Sequence, residues 1–160
     1  MRYSLEILFN RYRRSIFSAA YNICGNAEDA NDIVQETFLA YWGTSAEFKD
    51  EEHLKAWLLR VAINKARNLK RTFWNRKIDL VDELPGAGGG ELPEEGILEE
   101  IFKLPEKYRV VIHLFYYEGY SVKEIAKIME ISEGSAKMRL SRGRNMLKNI
   151  LGEENQDDWS

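Results

Sequence analysis

The 160-residue chain reads as all-α: two small helical domains joined by a flexible acidic linker, the second a helix-turn-helix domain. Three observations predict this. Apolar residues recur at helical spacing, with only three prolines and no β-rich run. Residues 77–96 are rich in glycine, proline and acids and show neither helical nor strand period, which marks a linker. Residues 104–147 carry the caps and stops of three successive short helices. The predicted domains are therefore residues 1–76 and 97–151, followed by an acidic, disordered tail over 152–160.

The first helix is expected over about residues 4–24, with Leu5, Leu8, Phe9, Tyr12, Ile16, Ala19, Ala20 and Ile23 inward and Gly25 ending it. Asn26 caps the second helix, and Glu28 and Asp29 occupy its favourable first turn. Ala30, Val34, Phe38 and Tyr41 form its inner face. Glu28, Asp29, Asp32, Gln35, Glu36 and Leu39 form a coherent outer stripe. Such a stripe would repel phosphates, so any partner it has is a basic protein surface rather than DNA.

Residues 43–49 form a loop, and Asp50 caps a third helix over Glu51 to Arg71. Leu54, Leu58, Val61, Ala62, Lys65 and Leu69 are expected near one face. Arg60, Asn64, Arg67 and Arg71 line the other at spacings of four, three and four, flanked by Trp57, Phe73 and Trp74. Basic residues interleaved with aromatics suit single-stranded nucleic acid, where bases stack on rings and the backbone meets charge.

In the second domain Pro105 suits a first helical turn and Gly119 can take the positive φ of a stop. Ser121 with Glu124 makes a capping box, and Ser132 caps a last helix that has Glu133 at its positive end. Around Leu140, the residues Ala136, Gly143 and Leu147 fall inward, while Met138, Arg142, Asn145 and Asn149 point away. Lys137 and Ser141 take one flank, Arg139 and Ser135 the other. Four Lys/Arg within residues 137–144 complete the pattern of a recognition helix that enters a major groove.

Net charge is −3, yet residues 1–76 carry +3 and residues 97–151 carry +3, offset by −5 over 77–96 and −4 over 152–160. Basic blocks are thus separated from acidic connectors. Cys24, the one cysteine, excludes an internal disulfide and a cysteine-based zinc site, and is expected as a small buried hydrophobe. His53 and His113 belong to no ligand cluster, and His113 is expected to be packed. No metal or cofactor is expected. With no P-loop and no nucleophile–base signature, an enzyme is not expected. No apolar run approaches a membrane span and no signal-peptide pattern is present, so the expected location is the cytoplasm.

Three stretches then carry a family resemblance: Ala27–Trp42 with its Asp32-Ile33-Val34-Gln35-Glu36-Thr37-Phe38 run, the segment Trp57–Asn64, and Leu104–Arg144. The last includes Leu104-Pro105-Glu106-Lys107-Tyr108-Arg109 and Ser121-Val122-Lys123-Glu124-Ile125-Ala126. In this order and spacing they resemble an extracytoplasmic-function sigma factor of bacterial RNA polymerase. The resemblance implies a first domain that docks on the clamp coiled coil of the largest polymerase subunit through Asp29, Asp32, Gln35 and Glu36. It implies melting of the minus-ten element and capture of its non-template strand by Arg60, Asn64, Arg67 and Arg71, with the loop from Phe48 to His53 and the neighbouring Trp57. It implies duplex reading of the minus-thirty-five element by Lys137, Met138, Ser141 and Arg142, with Arg139 and Arg144 nearer the backbone. The acidic linker would thread toward the active-site and RNA-exit channel, and an anti-sigma protein, often membrane-associated, would be a further partner. Two positions depart from the family pattern. Asn68 stands where many members have an acid. Gly143 stands where alanine is usual, which is expected to loosen the recognition helix by up to about 1 kcal/mol. The competing expectation is a polymerase-independent helix-turn-helix regulator with a sensor or dimerisation module, which has no need of an acidic helix beside a basic-aromatic one.

Overall fold

The computed structural model describes residues 3–77, with side chains through residue 71, and residues 102–152. Apart from Lys77, the predicted linker lies outside the described residues, as does the tail beyond Gly152. The chain divides into two compact units, residues 1–90 and 91–160. All regular structure in the described residues is helical, and none of those helices is long and apolar enough to cross a membrane.

In the first unit α1 (Leu5–Cys24) packs on both α2 (Ala27–Gly43) and α3 (Glu51–Lys77). Ser4 caps α1 through an N–H from Ile7, and Gly25 ends it at φ 80° while donating to the Tyr21 carbonyl. Leu8, Ile16, Ala19, Ala20 and Ile23 are buried as the period requires, whereas Leu5, Phe9 and Tyr12 are half-buried. Cys24 is also half-buried at the last position of α1, not in the core as its apolar neighbours implied. The α2 inner face is buried as expected, with Ile33 and Thr37 added; the Thr37 hydroxyl donates to the Ile33 carbonyl at 2.7 Å. Phe38 meets Phe9 edge-to-face at 5.3 Å.

Helix α3 departs from expectation twice. It runs six residues further, to Lys77, and its buried seam is Leu54, Leu58, Leu59, Ala62, Ile63 and Ala66. Val61 and Lys65 are half-buried flanks, and Leu69 is exposed. The adjacent pairs Leu58-Leu59 and Ala62-Ile63 let the apolar stripe be centred in two ways, and contact with α1 and α2 selects one. The start of α3 is fastened to α1 by Glu51, which accepts from the Tyr12 hydroxyl at 2.5 Å and from the Arg11 guanidinium. Those hydrogen bonds, Tyr12 first, hold the Glu51 carboxyl below its ordinary value. Burial, reinforced by Glu51, pushes the Tyr12 phenol up to about 12.

In the second unit α4 (Glu106–Ile112) starts behind Pro105, which sits one position outside the helix as its cap. The helix then widens into a π-helical turn, His113–Tyr117, closed by the Glu118 N–H on the His113 carbonyl at 3.1 Å. Gly119 takes φ 77° just beyond. Helix α5 (Val122–Met129) has the full capping box: Ser121 Oγ accepts from the Glu124 N–H, and Glu124 Oε1 accepts from the Ser121 N–H at 2.9 Å. The turn to α6 (Glu133–Leu151) is made by Glu130 in the left-handed conformation, φ 60° and ψ 48°. Ile125, Met129, Leu140 and Leu147 join Val111, Ile112 and Leu114 in the core. Each such side chain contributes roughly 1.5–3 kcal/mol of apolar transfer. His113 is buried edge-on to Tyr117.

One polar contact and one close approach hold this core in register. The buried Arg109 donates to the Leu104 carbonyl at 2.9 Å and stacks over Phe102 at 4.7 Å, tying the entry segment to α4; burial lowers its pKa. Gly143 corrects the expectation of loosened packing. A Cβ there would lie 2.9 Å from Ile112 Cδ1 and 3.3 Å from Tyr108 Cβ, so its absence allows α6 to close tightly on α4.

Candidate docking and nucleic-acid interfaces

The outer stripe of α2 begins in its own cap. The Asn26 side chain accepts from the Asp29 N–H at 2.8 Å and donates to the Asp29 carboxylate at 2.9 Å. Asp29 is consequently half-buried and occupied, whereas Asp32, Gln35 and Glu36 are exposed. Glu36 also pairs with Lys65 of α3 at 3.7 Å. Beyond them Leu39 and Trp42 are 64% and 66% exposed. Two large apolar side chains this exposed beside a row of acids make the outer face of α2 a candidate contact surface. Trp42 carries no signal of its own in the sequence, although it follows Gln35 and Leu39 at helical spacing.

The start of α3 is an aromatic cluster. Phe48 is buried against Tyr41, Trp57 and His53, with ring centroids 6.1, 5.5 and 5.6 Å away. The Tyr41 hydroxyl in turn accepts from the Tyr3 N–H and donates to the Tyr3 carbonyl, both at 2.9 Å. Phe48 therefore anchors the α2–α3 loop. The exposed His53 is ordered through its backbone N–H on Asp50 Oδ1 (2.8 Å) and through Nδ1, which accepts from the Lys49 N–H (3.1 Å). Trp57, Arg60, Asn64 and Arg67 are half-buried and Arg71 is exposed. Asn68 accepts from Arg71 at 2.8 Å, so the departure from an acid at this position keeps a partner for the guanidinium. Phe73 and Trp74 have side chains outside the described residues.

Helix α6 buries Ala136, Leu140, Gly143 and Leu147 and exposes Lys137, Met138, Ser141 and Arg142. Ser132 caps it by accepting the Ser135 N–H at 3.0 Å. The two remaining arginines differ from these. Arg139 is half-buried, with Nη1 shielded from solvent and lacking a hydrogen-bond partner. Arg144 Nε donates to the Tyr116 hydroxyl at 2.9 Å, and its guanidinium lies 5.9 and 6.0 Å from the ring centres of Tyr116 and Phe115. No motif in the sequence pointed to Tyr116, because the π turn that presents it has no compositional signature.

Among the described residues no cluster of His, Cys, Asp and Glu is arranged to hold a metal. The geometry is instead that of surfaces: one acidic and apolar, one basic and aromatic, and a helix-turn-helix. Comparison with known proteins gives the class. Residues 8–76 match the family described as Sigma-70 region 2, and residues 95–147 match Sigma-70, region 4. These are the two domains of a sigma-70-type transcription initiation factor. The ECF RNA polymerase sigma factor SigW of Bacillus subtilis is 31% identical over 88% of this chain and 84% of its own length. SigM of Mycobacterium tuberculosis is 27% identical over 94% and 79%. The fold is shared with the sigma factor RpoE of Bartonella quintana, solved in complex with the anti-sigma factor NepR. That match has a TM-score of 0.75 at 23% identity, covering 91% of this chain and 95% of that one. CnrH, solved with the cytosolic domain of CnrY, matches at a TM-score of 0.64 and 25% identity, over 92% and 86%. The chain belongs to the ECF sigma factors, which associate with RNA polymerase and direct initiation at promoters.

Proposed function

We propose that the three surfaces divide the work of initiation. The outer face of α2 docks on the clamp coiled coil of the largest polymerase subunit. Asp32, Gln35 and Glu36 supply charge and hydrogen bonds, Leu39 and Trp42 supply apolar area, and Asp29 mainly shapes the helix start. Helix α3 and the loop before it melt and hold the non-template strand of the minus-ten element. Arg60, Arg67 and Arg71 meet the backbone, and Asn64, His53 and Trp57 meet bases. Helix α6 reads the minus-thirty-five duplex through Lys137, Met138, Ser141 and Arg142, with Arg139 and Arg144 on phosphates. The protein supplies recognition and positioning and leaves catalysis to the polymerase. It works in the cytoplasm under an anti-sigma partner; a complex of that kind is the one solved for RpoE.

The observation that carries this reading is the sidedness of α6. Its whole inward seam is buried, while Lys137, Met138, Ser141 and Arg142 stand together in solvent. The test is run-off transcription with core polymerase and genomic DNA, and then footprinting of the mapped promoters with and without core. Protection of both elements only with core supports the proposal. Strong duplex protection by the protein alone would instead favour a polymerase-independent regulator.

A further inference from the structure

We propose that Tyr116 is a positioning residue for Arg144, so that the π-helical turn after α4 forms part of the minus-thirty-five interface. This rests on the reading of α6 as the duplex-reading helix. A guanidinium offers hydrogen bonds along more than one edge of its plane. Tyr116 occupies Nε at 2.9 Å, and its ring and that of Phe115, edge-to-face at 4.9 Å, have their centres about 6 Å from the guanidinium carbon. That leaves the Nη edge for an oxyanion such as a DNA phosphate. Arg144 would otherwise lose rotamer freedom on meeting DNA; held in advance, it loses less.

The placement has a backbone cause. In residues 113–117 the hydrogen bond closes one residue further along than in an α-helix, Glu118 N–H reaching His113 O. The wider turn changes the angle between successive side chains from that of an α-helix. His113 and Leu114 remain buried while Tyr116 emerges 48% exposed next to α6. At that exposure the Tyr116 hydroxyl reaches the Arg144 guanidinium directly. π-turns of this kind frequently sit at functional sites.

The test uses holoenzyme assembled from core polymerase and the full chain. Its affinity is measured for a run-off-mapped promoter duplex and single-base variants of the minus-thirty-five element, at two salt concentrations. Tyr116→Phe keeps the ring and removes the hydroxyl. It should weaken binding about 2–10-fold on every sequence, the cost of ordering one long side chain that is no longer held in advance, with the salt slope unchanged and the melting temperature lowered only slightly. Arg144→Ala should weaken binding and lower the slope by about one unit. In the Arg144→Ala background Tyr116→Phe should have no further effect. A neutral Tyr116→Phe, or one equally damaging with and without Arg144, overturns the inference. If base preference also survives Arg142→Ala, the reading of α6 itself falls, and the inference with it. Loss of preference in Arg142→Ala beside a neutral Tyr116→Phe defeats the inference alone.

Discussion

Gly143 shows how a single side chain decides between two physical effects. Alanine is favoured over glycine inside a helix by about 0.8–1 kcal/mol. Here the added Cβ would press on Ile112 Cδ1 at 2.9 Å and Tyr108 Cβ at 3.3 Å, and overpacking of a formed core costs typically about 1–3 kcal/mol. Gly143→Ala should therefore destabilise by about 1 kcal/mol. Ile112→Val, which removes the nearest carbon, should make the same change less costly. Urea midpoints of the two single variants and the double variant check this. Strict additivity would mean that Ile112 is not what resists the alanine. The sequence alone favoured alanine at this site because propensity is local, whereas the approach of α4 to α6 is not.

At the scale of elements, caps and stops were the most legible features. Asn26, Ser121 and Ser132, all expected as caps, each accept the N–H of the third residue into their helix, and Gly25 and Gly119 take positive φ; Ser4 caps α1 in the same way, although the period alone puts it inside that helix. These depend on a few neighbouring residues. The phase of α3 was less legible because apolar residues lie side by side, and the π turn was not legible at all. Contacts between elements were equally hidden, including the Glu51 clasp between α3 and α1. Its carboxyl is held low in the folded state, so the clasp is fully present above the ordinary value of 4.5 and is lost as pH falls through the depressed one. Glu51→Gln should flatten this part of the acid limb of stability, read as urea midpoints at successive pH values below neutrality. Wild type and variant losing stability in parallel toward acid would show that the clasp contributes nothing.

Across the whole molecule, the division of labour proposed for the acidic face of α2 and the basic faces of α3 and α6 implies separable defects. Asp32→Lys is the cleanest probe of docking, since Asp29 is committed to its cap and Glu36 to Lys65. It should weaken core binding while shifting stability by only about 0.5 kcal/mol. Arg142→Ala should leave core binding intact, cost about 1–3 kcal/mol at the minus-thirty-five element and relax preference at one or two base pairs. Core titration and promoter affinity, measured on both variants, check the division. If Asp32→Lys left core affinity unchanged, the stripe would be only a solvated helix face.

Glu130 bends the chain into α6 at φ 60°, a conformation in which an L-residue bears a Cβ penalty of roughly 1–2 kcal/mol. It also places a carboxylate at the C-terminal end of α5, where negative charge opposes the helix dipole. Glycine escapes both effects, although it surrenders about 0.5–1 kcal/mol of unfolded-state entropy. Glu130→Gly should consequently raise stability by about 0.5–1 kcal/mol, seen as a higher urea midpoint at unchanged m-value. Glutamate and glycine codons differ by a single nucleotide. A lineage carrying this protein into hotter surroundings thus has a short mutational step available, at a position where no backbone rebuilding is needed.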